Sequence, residues 1–185
     1  MSDASSTSII SGVSGSIAMI FWKKWRAKSQ LEEDLQEHLP MLERLVASYE
    51  RNPQIQQELL QEVVLAIWQS YQQFAGNASI KTYFARIAQN RCISHVQKAV
   101  RQVEEAQVDP NECQFTGTQL DDELVRQQQY QQLLNKIRGL PLQQKQVISL
   151  FLEGFNYQQI ADICGLTSIN VGVIINRCKP KLMNE

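Results

Sequence analysis

Histidine, cysteine and glycine are scarce in this chain, and their scarcity excludes most enzymatic chemistries. Only His38 and His95 are available as imidazole bases or ligands among 185 residues, and no nucleophile has a neighbouring base. The eight glycines form no phosphate-cradling loop. Cys92, Cys113, Cys164 and Cys178 contain no CxxC pair, so reduced thiols in a cytoplasm are the simplest reading. Cys92 and His95 stand three apart, as two zinc ligands would, but no second pair has suitable spacing. A small buried cysteine and a helix-surface histidine account for them. Nor is there an apolar run of the roughly 20 residues that a bilayer span requires. Residues 9–22 are mostly small and apolar, but Lys23, Lys24, Arg26 and Lys28 follow them, the reverse of a signal peptide's order. An interfacial anchor or a partner-binding role for residues 9–28 stays open. No catalytic residue, cofactor, metal or small-molecule substrate is expected.

What is present is a segregation of charge that the net value of -1 conceals. After Glu62 no acid appears until Glu104, while Lys81, Arg86, Arg91, Lys98 and Arg101 fall inside the interval. That pattern suits a phosphate backbone, and a merely solvated helix face fits it equally. Residues 99–132, by contrast, are rich in acids and mark a solvated connector.

Apolar periodicity predicts an all-helical chain. Residues 1–30 read as a mobile basic extension. From Leu31, apolar residues recur every three or four positions through Leu35, Leu39, Leu42, Leu45 and Val46, and Pro40 marks a bend or restart. Asn52 and Pro53 read as a cap and a first helical residue, opening a helix to about Tyr71. Ser79 caps a third helix, which runs to about Val100. Residues 31–101 thus form one bundle of three to four helices. Residues 102–118, with Pro110, Gly117 and several acids, form a flexible acidic linker that is able to lie along basic surfaces. Residues 119–185 form a second small domain, with helices over 120–137, from Pro141 to about Leu152, and beyond Gly154.

The sharpest local pattern is at residues 157–177. Two short helices meet at Gly165, Ala161 is small where they would cross, and Ile160, Cys164, Leu166, Val171 and Ile174 supply an interior. This spacing predicts a helix-turn-helix, because glycine permits the turn and the small residue permits close crossing. A hairpin used only for packing is the competing reading, and five agreeing constraints favour DNA binding. The outward positions are Thr167, Ser168, Ile169, Asn170, Gly172, Val173 and Asn176, followed by the phosphate-suited Arg177, Lys179 and Lys181.

These residues also carry a family resemblance. Glu58 to Val63 (ELLQEV), Trp68, Phe74-Ala75-Gly76, Ser79 to Tyr83 and Arg86 to Asn90 form one motif set. Leu140-Pro141, Glu153-Gly154, Tyr157 to Ala161 and Gly165-Leu166 form a second. In that order the chain resembles a sigma-70 family factor of the extracytoplasmic-function type over roughly residues 31–183. The resemblance implies core RNA polymerase as a partner, through the clamp coiled coil of its largest subunit and the flap of its second-largest. It assigns Glu58, Leu60, Gln61, Glu62, Leu65 and Trp68 to core binding, with Glu58 standing where aspartate is usual. Capture and melting of the promoter −10 element fall to Phe74, Asn77, Lys81, Thr82, Arg86, Asn90 and Arg91, since aromatics and amides hold unstacked bases while cations grip phosphates. Tyr83 stands where tryptophan is common and fits the core equally. The −35 element would meet Thr167, Ser168, Asn170, Gly172, Asn176, Arg177 and Lys179.

Here the sequence departs from the family pattern, because Asn170-Val171-Gly172-Val173-Ile174 replaces a run usually containing lysine and arginine. Weak or shape-dependent −35 recognition is the expectation. An inhibitory anti-sigma partner and a cytoplasmic location are further implications. Two other readings remain: a stand-alone helix-turn-helix regulator, and a sigma-like interaction module with weakened promoter binding. The ELLQEV helix and the acid-free run argue against the first, and the uncharged second helix favours the other modestly.

Overall fold

The structure, a computed structural model, describes residues 15–106 and 122–183, with side chains over 30–102 and 125–183. Every regular element among them is helical: α1 (Gly15–Ala47), α2 (Pro53–Ser70), a short 3-10 turn (Tyr71–Gln73), α3 (Ile80–Ala106), α4 (Asp122–Arg138), α5 (Leu142–Leu152), α6 (Tyr157–Cys164) and α7 (Ser168–Met183). The chain divides into two compact units, residues 1–37 and residues 38–185.

In the first unit the backbone is helical from Gly15. The extension expected over residues 1–30 is therefore helical in its second half, and residues 1–14 lie outside the described residues. Sequence reading stopped short because residues 17–22 are apolar all round and show no 3.6-residue periodicity. Gln30 Nε2 donates to Asp34 Oδ1 at 3.2 Å, an (i, i+4) pair on this helix.

The second unit begins inside α1. Pro40 does not restart the helix, which runs on through it to Ala47; it is exposed, so water can take the carbonyl it leaves unbonded. Asn52 caps α2 as expected, its side chain accepting from Gln54 N at 2.9 Å with Pro53 following. Leu59, Val63, Ala66 and Ile67 form the buried stripe of α2. Against it packs α3, whose Phe84, Ala85, Ala88 and Cys92 are fully buried. Ser79 caps α3, its Oγ accepting from Thr82 N at 3.2 Å. The helix runs to Ala106 rather than ending near Val100, so the linker expected at 102–118 starts within a helix. Its remaining residues, 107–118, lie outside the described residues, as do the side chains of Glu104, Glu105 and Asp109. Lys98, Val100 and Arg101 extend α3 without burying a stripe, Val100 itself staying exposed, which is why periodicity faded there.

A second cluster joins α4 to α7 around Leu134, Ile137, Val147, Ile148, Leu150, Phe155, Ile160, Ala161, Val171, Ile175 and Cys178, all buried. The expected start of α5 at Pro141 shifts by one, Pro141 serving as its N-cap. Asn156 and Gln159 form a reciprocal capping box at the head of α6, closing two backbone donors. Among the described residues no single helix is long and apolar enough to cross a membrane.

Candidate nucleic-acid interface

The outward side of α2 gathers residues that the sequence pattern singled out. Glu58, Gln61, Glu62, Leu65 and Trp68 are exposed opposite the buried stripe, and Leu60 is half-buried beside them. Leu65 and Trp68 are 54% and 57% exposed, large apolar groups that a monomer has no reason to present together.

The loop after α2 and the first turns of α3 form the second group. Phe74 is half-buried in an aromatic cluster, 4.8 Å from the Tyr83 ring and 6.4 Å from that of Tyr71. Tyr83 is anchored by its hydroxyl, which donates to Ser70 O at 2.9 Å. Asn77, Ala78, Thr82, Tyr83, Arg86 and Asp162 line a cleft of about 290 Å³. Thr82 is buried, its Oγ1 2.9 Å from Ser79 Oγ. Asn90 and Arg91 lie exposed farther along α3.

The two cations central to this group are engaged within the protein. Lys81 Nζ donates to Glu153 O at 2.7 Å and sits 4.7 Å from the centre of the Phe155 ring. Arg86 Nη2 donates to Asp162 O at 2.5 Å. Both acceptors belong to the segment around α5 and α6, which packs directly on α3. Three more links hold this closed arrangement. Arg44 pairs with Glu153, and that bond, with burial opposing it, raises the Arg44 pKa. Gln89, buried on α3, accepts from Tyr49 Oη and donates to Ser149 Oγ at 3.0 Å. Arg138 donates twice to Ala47 O, at 2.9 and 2.7 Å. Sequence reasoning missed this arrangement because its acceptors are largely backbone carbonyls, which every residue has.

The helix-turn-helix forms as expected, with α6 and α7 at 103° to each other. Gly165 turns the chain between them at φ 68°, a left-handed conformation that disfavours a side chain. Ala161 is buried, as predicted for a close crossing, and Val171 is buried on α7. Ile175 and Cys178 continue that interior; Ile174, placed there by the sequence reading, is only half-buried. The error is one position in register, within reach of a 3.6-residue period over so short a helix.

Of the residues assigned to the −35 element, several have internal work. Thr167 Oγ1 accepts from Asn170 N at 3.3 Å, capping α7, and Ser168 Oγ donates to Gln158 Oε1 at 2.7 Å. Gly172 faces the Tyr157 ring. Asn170, Asn176, Arg177 and Lys179 are exposed. So are Ile169 and Val173, which the resemblance did not assign.

Comparison with known proteins gives the family. Residues 35–102 match the model for Sigma-70 region 2, and residues 130–182 match that for Sigma-70, region 4. The chain belongs to the sigma-70 family. It is a sigma factor, with region 2 running from the middle of α1 through most of α3 and region 4 from within α4 to the end of α7. No curated protein matches the chain. Among solved structures, it is similar to the sigma factor RpoE in complex with the anti-sigma factor NepR from Bartonella quintana. That likeness has a TM-score of 0.68 at 22% identity, over 83% of this chain and 94% of that one. It is also similar to CnrH in complex with the cytosolic domain of CnrY, with a TM-score of 0.60 at 15% identity, over 84% and 86%. At such identities the likeness establishes the fold alone.

Proposed function

We propose that this sigma factor binds core RNA polymerase through the outward face of α2 and carries it to promoters, which it then opens. The observation that carries the reading is the row Glu58, Gln61, Glu62, Leu65 and Trp68, an exposed apolar patch edged by polar groups on the region 2 helix. Desolvating Trp68 and Leu65 against the clamp coiled coil supplies the affinity, and the carboxylates and amide set the register. Region 4 would meet the flap of the second-largest subunit and the −35 element.

Asn77, Thr82 and Arg86, the region 2 wall of a cleft that Asp162 closes, are suited to a base taken from the opened −10 strand once region 4 leaves, with Lys81, Asn90 and Arg91 along its phosphates. Glu153 O and Asp162 O occupy Lys81 and Arg86, so DNA capture on region 2 requires region 4 to move away. The polymerase supplies all the chemistry, and the chain acts in the cytoplasm as a dissociable subunit without catalytic residues. That RpoE and CnrH were each solved with a protein partner supports an anti-sigma factor for this chain as well.

The test is co-purification with core RNA polymerase, comparing the natural chain with a Gln61→Ala, Glu62→Ala double variant. Complex formation that the double change removes is the expected result; a folded, inhibitor-free chain that ignores core polymerase defeats the reading. The lack of charge on α7 before Arg177 favours a second reading, a sigma-like interaction module with weakened promoter binding. Loss of promoter opening in a stably folded Arg86→Ala variant excludes it.

A further inference from the structure

The buried side of α7 is defined by Val171, Ile175 and Cys178. At 100° per residue Ile169 and Val173 lie opposite them, with Asn176 and Arg177 flanking that stripe on either side. Ile169 is 82% exposed and Val173 39%, and no basic residue appears on this helix before Arg177. We propose that Ile169 and Val173 read thymine methyl groups in the major groove of the −35 element, making that element rich in A·T pairs.

The inference rests on the sigma-factor reading above and asks what region 4 of this chain can recognise. The only apolar feature on the floor of the major groove is the thymine C5-methyl group. Guanine is read by arginine or lysine and cytosine by a carboxylate, and α7 has neither before Arg177. Asn176, flanking the stripe, carries the amide that matches adenine N6 and N7. Ile169 is the second residue of α7, at the end of a recognition helix that approaches base edges. Val173 follows one turn later, about 6 Å along the axis, which spans about two base-pair steps. Thr167 and Ser168 are tied to Asn170 N and Gln158, so the apolar pair stands foremost. The basic Arg177, Lys179 and Lys181 that follow on the same helix favour a phosphate-bearing partner over an apolar protein groove. The stripe is open even while Lys81 and Arg86 are bonded to Glu153 O and Asp162 O.

The test uses the full chain assembled with core RNA polymerase. Transcription starts are mapped, and the promoter found is remade with deoxyuridine replacing each −35 thymine in turn, which deletes only the methyl. Holoenzyme binding is expected to fall about fourfold at each contacted thymine, the effect of one buried methyl. Ile169→Ala or Val173→Ala then abolishes the corresponding sensitivity while holoenzyme assembly persists. Full binding to every deoxyuridine promoter, or a −35 element without thymine, overturns the proposal and leaves the sigma-factor reading standing. A chain that neither binds core polymerase nor yields start sites overturns both. If both alanine variants keep promoter affinity but lose a protein partner, the stripe is a protein-docking face and the proposal falls.

Discussion

Arg44 and Glu153, 109 residues apart in the chain, meet in a two-bond ion pair: Nε to Oε1 at 2.8 Å and Nη2 to Oε2 at 2.7 Å. The pair ties region 2 to the same residue whose carbonyl accepts from Lys81. The Arg44 side chain is 48% exposed, so solvent screens the pair and its worth is about 0.5–1 kcal/mol. If closure withholds the −10 surface, weakening the pair raises the population able to bind DNA. Glu153→Gln is expected to increase affinity for single-stranded −10 DNA about two- to fivefold. Arg44→Gln should do the same, and the double variant should add little more. Fluorescence anisotropy with a −10 oligonucleotide reads it out; unchanged affinity in both single variants argues that closure is not held by this pair.

Gln89 lies at the centre of the same interface but is buried, and its effect has the opposite character. Its amide satisfies Tyr49 Oη on one side and Ser149 Oγ on the other. Burial pushes the Tyr49 pKa far up, with Cys92 adding to it, so the phenol stays a neutral donor. Gln89→Leu takes away the amide that Tyr49 Oη donates to, while Ser149 Oγ keeps its bond to Gln146 O at 3.1 Å, and the expected loss is about 1–2 kcal/mol of stability in urea denaturation. A neutral result would mean that water reaches the site and replaces the amide.

Much of this organisation was legible in the sequence. The alternation of apolar residues revealed α2, α3 and the helix-turn-helix because each buries one continuous stripe, and Asn52, Ser79 and Gly165 punctuated them as their side chains require. The row on α2 was singled out by the family resemblance, and not by that periodicity. The engagement of Lys81 and Arg86 was not, since their partners are carbonyls about 72 and 76 positions away that no side-chain pattern announces. Nor was the internal role of Ser168, whose partner Gln158 belongs to the preceding helix. Ile169 and Val173 were placed outward from spacing alone, but the family pattern directed attention to polar neighbours.

Glu50 gives the fold an acid-sensitive joint. Burial works to raise its pKa, but bonds from Asn52 N, His95 and Arg51 N outweigh it, and the net direction is down from 4.5. Its Oε1 accepts from Arg51 N at 2.7 Å and Asn52 N at 2.8 Å, and its Oε2 from His95 Nε2 at 2.9 Å. A carboxylate depressed in the folded state stabilises it above the unfolded pKa, and that stability is lost as pH falls through the folded value. Glu50→Gln is therefore expected to lower stability by about 1 kcal/mol at pH 7 and by progressively less below about pH 4.5. Denaturant titrations of both proteins at several pH values test the sign. A gap that widens as pH falls contradicts the assignment.

Gly172 offers the reverse case, a residue that the fold does not need. Its backbone is not among the left-handed glycines, and a methyl added there would meet Tyr157 Cε2 at 3.5 Å, an ordinary contact. Nothing among the described residues demands glycine there, while glycine inside a helix weakens it by about 1 kcal/mol relative to alanine. Gly172→Ala should raise stability by about 0.5–1 kcal/mol, seen as a higher melting temperature with no change in helix content. The same variant is informative on DNA. Gly172 flanks the outward stripe of Ile169 and Val173, so a stabilised protein that binds its promoter less well would place the DNA backbone or a base edge against this position. A stabilised protein with unchanged promoter affinity would make Gly172 a tolerated defect of the helix and leave recognition to its neighbours.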